Sequence, residues 1–104
     1  MKNRAVEHVA KLTQESEKVI ERYLIARVQE RGGMCIKLAS PTMNGLPDRL
    51  CLLPNGVMFF AELKSKGKKP SILQEVIISR LRALGYGAYV IDSIVRVDEL
   101  MKEL

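Results

Sequence analysis

The chain has 104 residues and a formal net charge of +5 at neutral pH, with a pI near 9.4. Hydrophobic residues make up 47% and charged residues 28%, which argues against disorder and for one domain with one modest core. A single histidine, His8, and two cysteines, Cys35 and Cys51, leave too few ligands for a four-ligand zinc site, and no uncharged stretch is long enough to span a bilayer.

The N-terminus MKNRAVEHVAKL mixes charges throughout and carries no secretory pattern. The expectation is an intracellular, cytoplasmic protein whose two cysteines are reduced, buried thiols. Asn3 to about Leu12 is expected to form a short helical extension, with Val6, Val9 and Ala10 on one side and His8 at its surface. A stronger helix is predicted from about Gln14 to Arg31, with Thr13 as N-cap and Gly32-Gly33 as its stop. Its apolar positions Ile20, Leu24 and Val28 recur every four residues, so that face packs inward.

Met34 to Ala39 reads as a first strand, and SPTMNGLP after it as an exposed loop. Arg49 to Leu53 is a second strand, Pro54-Asn55-Gly56 a hairpin turn, and Val57 to Ser65 a third strand. Asn-Gly supplies the positive φ angles such a turn requires. KGKKP is a basic loop. A helix follows from about Ile72 to Leu84, with Leu73, Val76, Ile77, Leu81 and Leu84 on one face. Ala88 to Ile91 is a fourth strand. A last helix, about Ile94 to Glu103, aligns Ile94, Val97, Leu100, Met101 and Leu104. The predicted fold is α/β: a three-stranded antiparallel meander, a fourth strand after a crossover helix, and helices flanking the sheet.

The basic balance favours an acidic partner, nucleic acid being the commonest, with a solvated lysine-rich surface as the plain alternative. One stretch sharpens this. In GLPDRLCLLPNGVMFFAELKSK, Asp48 opens the second strand, and Glu62 and Lys64 share one face near the end of the third. A hairpin centred on Asn55-Gly56 brings Asp48 near the level of Glu62. Two adjacent carboxylates repel unless something lies between them. An all-oxygen site suits magnesium or manganese, and a neighbouring lysine can act on a water or steady charge on a phosphate. This combination fits phosphodiester hydrolysis. A cross-strand salt bridge from Lys64 to Asp48 or Glu62 is the structural alternative.

The string GLPDRLCLLPNGVMFFAELK, followed by a helix bearing Gln74, resembles the virus-type replication-repair nuclease domain, VRR-NUC, of the PD-(D/E)xK nuclease superfamily. The resemblance runs roughly from Glu17 to Ser93 and makes residues 1–104 one nuclease domain, with 1–12 as the extension. It implies a restriction-endonuclease-like core and divalent-metal-dependent DNA cleavage. It also implies a homodimer that cuts branched DNA in the manner of Holliday-junction resolvases, in phage or bacterial DNA repair. Asp48, Glu62, Lys64, Gln74 and Glu21 are implied as catalytic residues. Glu21, Asp48, Glu62 and the Leu63 carbonyl are the implied ligands of Mg2+ or Mn2+, and no motif calls for an organic cofactor.

Glu17 and Glu21 lie four apart on one helix edge, where like charges cost roughly 0.2–0.5 kcal/mol, and the family pattern favours Glu21. Ser71 and Gln74 also form an S-x-x-Q capping box, a sufficient reason for Gln74 without catalysis. Lys66, Lys68 and Lys69 follow the candidate site directly and would neutralise phosphates, with Lys37 and Arg49 as further candidates for DNA contact or for pairing. Arg49 has Glu62 as a possible ion-pair partner. Two alternatives stay open beside the junction nuclease: a general nuclease on linear, flap or single-stranded DNA, and a basic module that binds without cutting. For a dimer contact, the candidates are the apolar faces of the Gln14–Arg31 helix and the last helix.

Overall fold

The computed structural model describes residues 15–40 and 42–104. The expected N-terminal extension, with His8 and Thr13, lies outside them. Helix α1 spans Glu17–Glu30 and begins at Ser16, not Thr13: the Ser16 hydroxyl accepts the Val19 N–H at 3.2 Å. Ile20, Leu24 and Val28 are all fully buried, as their spacing predicts. The helix ends at Gly32, whose φ of +80° a side chain would strain. At Gly33 any Cβ would sit 2.3 Å from the Leu52 carbonyl, so glycine lets this turn press against the second strand.

Strands β1 (Met34–Lys37), β2 (Arg49–Leu52), β3 (Met58–Leu63) and β4 (Gly87–Ile91) form one sheet in the order β1-β2-β3-β4. The first three pair antiparallel and β4 runs parallel to β3, the topology expected of a meander followed by a crossover helix. The hairpin between β2 and β3 turns through Pro54–Gly56, with Asn55 at φ 67° and Gly56 at φ 75°. The Leu53 N–H closes it onto the Val57 carbonyl at 2.7 Å. The turn thus holds three residues rather than two, and the register pairs Arg49 with Ala61.

Helix α2 spans Ile72–Ala83 and α3 spans Ile94–Glu103. One face of the sheet is closed. There α1 and α3 meet Cys51, Phe59, Ala61, Leu63 and Ile91, with Val97, Leu100 and Met101 completing the core. Burying Phe59 alone is worth about 1.5–3 kcal/mol. Asp98 of α3 accepts from Tyr23 and pairs with Arg27, both on α1, and the Arg31 guanidinium donates to the Met101 carbonyl, so polar contacts also lock the two helices.

The other face is only partly covered. Helix α2 turns Gln74 and Ile78 toward the sheet. Its expected inward stripe instead lies along the flank, where Leu73, Val76 and Leu84 are exposed and Ile77 and Leu81 half-buried. The helix packs beside β4, so among the described residues no second layer covers β1 and β2 on this side, and Met34 and Ile36 are exposed. No described helix is long and apolar enough to cross a membrane.

Candidate active site at the end of the central strands

One step beyond the Arg49–Ala61 pair, the same register sets Asp48 opposite Glu62. The pleat then sorts the side chains. Ala61 and Leu63 point into the closed core, and Glu62 points to the half-covered face beneath α2. Lys64, two residues on, follows Glu62. The shortened strands do not change this arrangement, since alternation continues through the strand end.

Glu62 is 1% exposed, which makes it the one charged residue among the buried side chains described. Its Oε2 accepts from Gln74 Nε2 at 2.8 Å and pairs with Lys64 Nζ at 3.1 Å. Its Oε1 is buried and has no hydrogen-bond partner. An orphaned carboxylate oxygen in a folded protein is costly, unless it belongs to a ligand-binding arrangement. Burial pushes the Glu62 carboxyl above its usual range, the Lys64 ammonium opposes that, and the nearby Asp48 charge adds to it.

Asp48 stands at the mouth of β2. Its Oδ2 accepts the Leu63 N–H at 2.8 Å, and its carbonyl accepts from Leu38. Leu63 buries its side chain completely, so it reaches the site only through its backbone. Pro47 before Asp48 is fully buried, and Gly45, at φ +84°, lies against α2, where a Cβ would come within 2.9 Å of the Leu73 carbonyl. The loop that delivers Asp48 is therefore seated on the helix that delivers Gln74.

Gln74 does two things at once. Its Oε1 accepts the Ser71 N–H and its own N–H goes to the Ser71 hydroxyl, a complete capping box. Its Nε2 remains free for Glu62. The two sequence readings of Gln74 do not exclude each other, because an amide has an acceptor end and a donor end.

Glu21 is paired with Arg49. Arg49 alternates with Asp48 and faces α1, where its Nε meets Glu21 Oε2 at 3.2 Å and its Nη1 donates to the Cys35 carbonyl. Arg49 pairs with Glu21 and not with Glu62. Glu17, four residues earlier, is exposed. Among the described residues no three of His, Cys, Asp and Glu gather tightly enough to hold a metal by themselves. Asp48 and Glu62 with a backbone carbonyl nevertheless fit a hard divalent cation. Magnesium takes one or two carboxylates and keeps several waters or phosphate oxygens. The unpartnered Glu62 Oε1 is the observation in favour of that fit.

Of the basic candidates, Lys66, Lys68 and Lys69 are exposed on the loop leaving β3, and Lys37 is exposed at the end of edge strand β1. A cleft of about 500 Å³ beside this loop is lined by Lys68, Lys69, Ser79 and Arg82, with Glu75 and Asp92 among its acids. Sequence reasoning passed over Arg82. The available signal was spacing: Gln74, Ile78 and Arg82 recur every four residues on the sheet-facing edge of α2.

Comparison with known proteins adds three findings. No protein-family model matches the chain. A phage protein named "Putative nuclease p44", from Acyrthosiphon pisum secondary endosymbiont phage 1, is 44% identical over 77 residues. That match covers 74% of this chain and 83% of the phage protein. A solved structure described as a VRR_NUC domain superposes with a TM-score of 0.78 at 33% identity, covering 83% of this chain and 94% of the other.

Proposed function

The chain belongs to the VRR-NUC family of nuclease domains, and from that premise we propose that it is a divalent-metal-dependent DNA endonuclease acting at Asp48, Glu62 and Lys64. The observation that carries this reading is the buried Glu62, which has one oxygen fixed by Gln74 and Lys64, the other unpartnered among the described residues, and the Asp48 charge nearby.

Asp48 and Glu62, with the Leu63 carbonyl, would hold Mg2+ or Mn2+. When bound, such an ion lowers the pKa of a coordinated water and stabilises charge on the phosphate. The chain's own residues do the rest. Gln74 restricts the Glu62 rotamer, so its free oxygen keeps one direction. Lys64 is held at the carboxylate with its side chain 20% exposed, reachable by a phosphate or an attacking water. There it neutralises developing negative charge or orients the attacking water. Glu21 acts through Arg49, steadying the β2 residue next to Asp48. Lys66, Lys68 and Lys69, joined by Arg82, would track the phosphate backbone, with Lys37 at the far edge, so binding should weaken steeply with salt.

The preferred substrate in this reading is branched DNA, cut by a homodimer whose two sites act on two strands. Neither surface expected for pairing is available. The apolar faces of α1 and α3 are spent on the core, with Leu24 and Leu100 both fully buried. The contact would fall instead on the half-covered side, where Met34, Met43, Leu73, Val76, Leu84 and Tyr86 are all exposed by 46% or more.

The deciding experiment compares cleavage of a labelled four-way junction and a linear duplex, with and without Mn2+ or Mg2+. Metal-dependent cutting of the junction alone, lost in Lys64→Ala, supports the proposal. Cutting of both substrates keeps the chemistry and removes the junction preference. Metal-independent binding with no nicking by the wild type makes the protein a binding module and returns Glu62–Lys64 to a structural ion pair.

A further inference from the structure

The two cysteines lie away from the proposed chemistry, yet they are direct partners in the β1–β2 register. Their sulfurs are 3.3 Å apart. The Leu38 N–H bonds the Asp48 carbonyl, which sets the alternation of this ladder. Cys35 and Cys51 accordingly fall at a non-hydrogen-bonded pair, the type in which facing side chains approach most closely. A disulfide needs sulfurs about 2.05 Å apart. The gap closes by small side-chain rotations with no change of register.

Accessibility divides the pair. Cys51 is completely buried, whereas Cys35 is half-buried. The hydrogen bond between the two sulfurs and the nearby Arg49 guanidinium lower the pKa of Cys35 against its partial burial, and the same hydrogen bond and burial raise that of Cys51. One sulfur is thus reachable from solvent, and the other waits behind it. Fifteen residues separate them, and these include the whole loop that brings Asp48 to Glu62.

We propose that Cys35 and Cys51 form a reversible intramolecular disulfide, a redox staple at the base of the loop carrying Asp48. The oxidant is a low-molecular-weight disulfide such as oxidised glutathione. The Cys35 thiolate attacks one of its sulfurs, forming a mixed disulfide and releasing one thiolate, which takes up the proton Cys35 lost. Cys51 then gives up its proton and attacks the Cys35 sulfur, expelling the second glutathione as a thiol. The protein loses two protons and two electrons, and the oxidant gains both. Intracellular disulfides of this kind are usually transient and regulatory. The cysteine chemistry stands apart from the nuclease reading, although its consequence for Asp48 depends on it.

The test is intact-mass spectrometry of the folded chain before and after incubation with oxidised glutathione, followed by unfolding and alkylation. The expected result is loss of the mass of two hydrogens, disappearance of both alkylatable thiols, and reversal by a reductant. C51S should stop at a single glutathione adduct on Cys35, and C35S should stay unmodified while folded. Two alkylatable thiols in the treated wild type, a persistent glutathione adduct, or a disulfide between two copies would each overturn the proposal. Equal reaction of C35S and C51S would overturn the assigned order of attack.

Discussion

The two faces of the sheet are built from the same strands and differ in almost every other respect. On the closed face, residues 51, 59, 61, 63 and 91 meet two helices and leave no exposed atom of note. On the other face, the intervening residues of those strands meet one helix displaced toward β4. That face holds the buried carboxylate, its lysine, a cleft and the exposed hydrophobics. The lesson is a division of labour along each strand: alternate residues stabilise, and their neighbours are free to be costly. A buried, incompletely partnered glutamate is tolerable here because the opposite face supplies the stability.

Mutations on either side should separate the two roles. The largest effect is expected from Lys64→Ala and Asp48→Asn, each lowering kcat by about 10²–10⁴; Asp48→Asn should melt close to wild type, whereas Lys64→Ala leaves the buried Glu62 without its cation and should melt lower. A large fall in stability with Asp48→Asn would blur the contrast between faces. On the closed face, Leu24→Ala should cost about 2–5 kcal/mol in denaturant unfolding and leave the activity of the remaining folded protein unchanged.

A finer test lies at α2. Ser71→Ala and Gln74→Ala each break the capping box and should cost about 1 kcal/mol. Only Gln74→Ala also releases Glu62, so it alone should reduce cleavage at temperatures where both variants are folded. Equal activities would leave Gln74 a cap and nothing more. On the exposed flank, Leu84→Ser should change unfolding free energy by less than about 0.5 kcal/mol. It should nevertheless shift the sedimentation profile toward monomer, if that flank joins two copies.

The smallest effect is a pH dependence read in the presence of a chelator. Burial raises the Glu62 carboxyl, so the folded chain holds that proton more tightly than the unfolded chain does. Its contribution is fully present below the unfolded value of about 4.3 and is lost as pH rises through the folded value. Glu62→Gln does not ionise. Its melting temperature relative to wild type should therefore be more favourable at pH 7 than at pH 4. A difference that is flat across this range would mean that Lys64 and Gln74 fully compensate the buried charge.

Much of the site was legible because local rules govern it. Asn55-Gly56 demanded a tight turn, and the turn set which residues of β2 and β3 face each other. Strand alternation then separated Glu62 and Lys64 from Leu63. The longer turn moved the register by a single residue, and this brought Asp48 opposite Glu62 itself. The capping box was visible as Ser71-x-x-Gln74. Other features were hidden because they depend on distant partners. Ser16 and Thr13 are both acceptable caps by type. Arg49 could have turned to either acid until the pleat aimed it at α1 and Glu21.

By itself, the sequence determined the order of the elements, the closed core through Ile20, Leu24 and Val28, and the acids and lysine that the two middle strands bring together. Periodicity and turn chemistry act over a few residues, and these features need nothing more. Tertiary structure alone decided which side of α2 meets the sheet, which apolar stripe stays exposed, and which acid Arg49 pairs with. A helical pattern states which residues share a face. What lies opposite that face depends on how far the sheet extends beneath it, and here the sheet reaches well past α2.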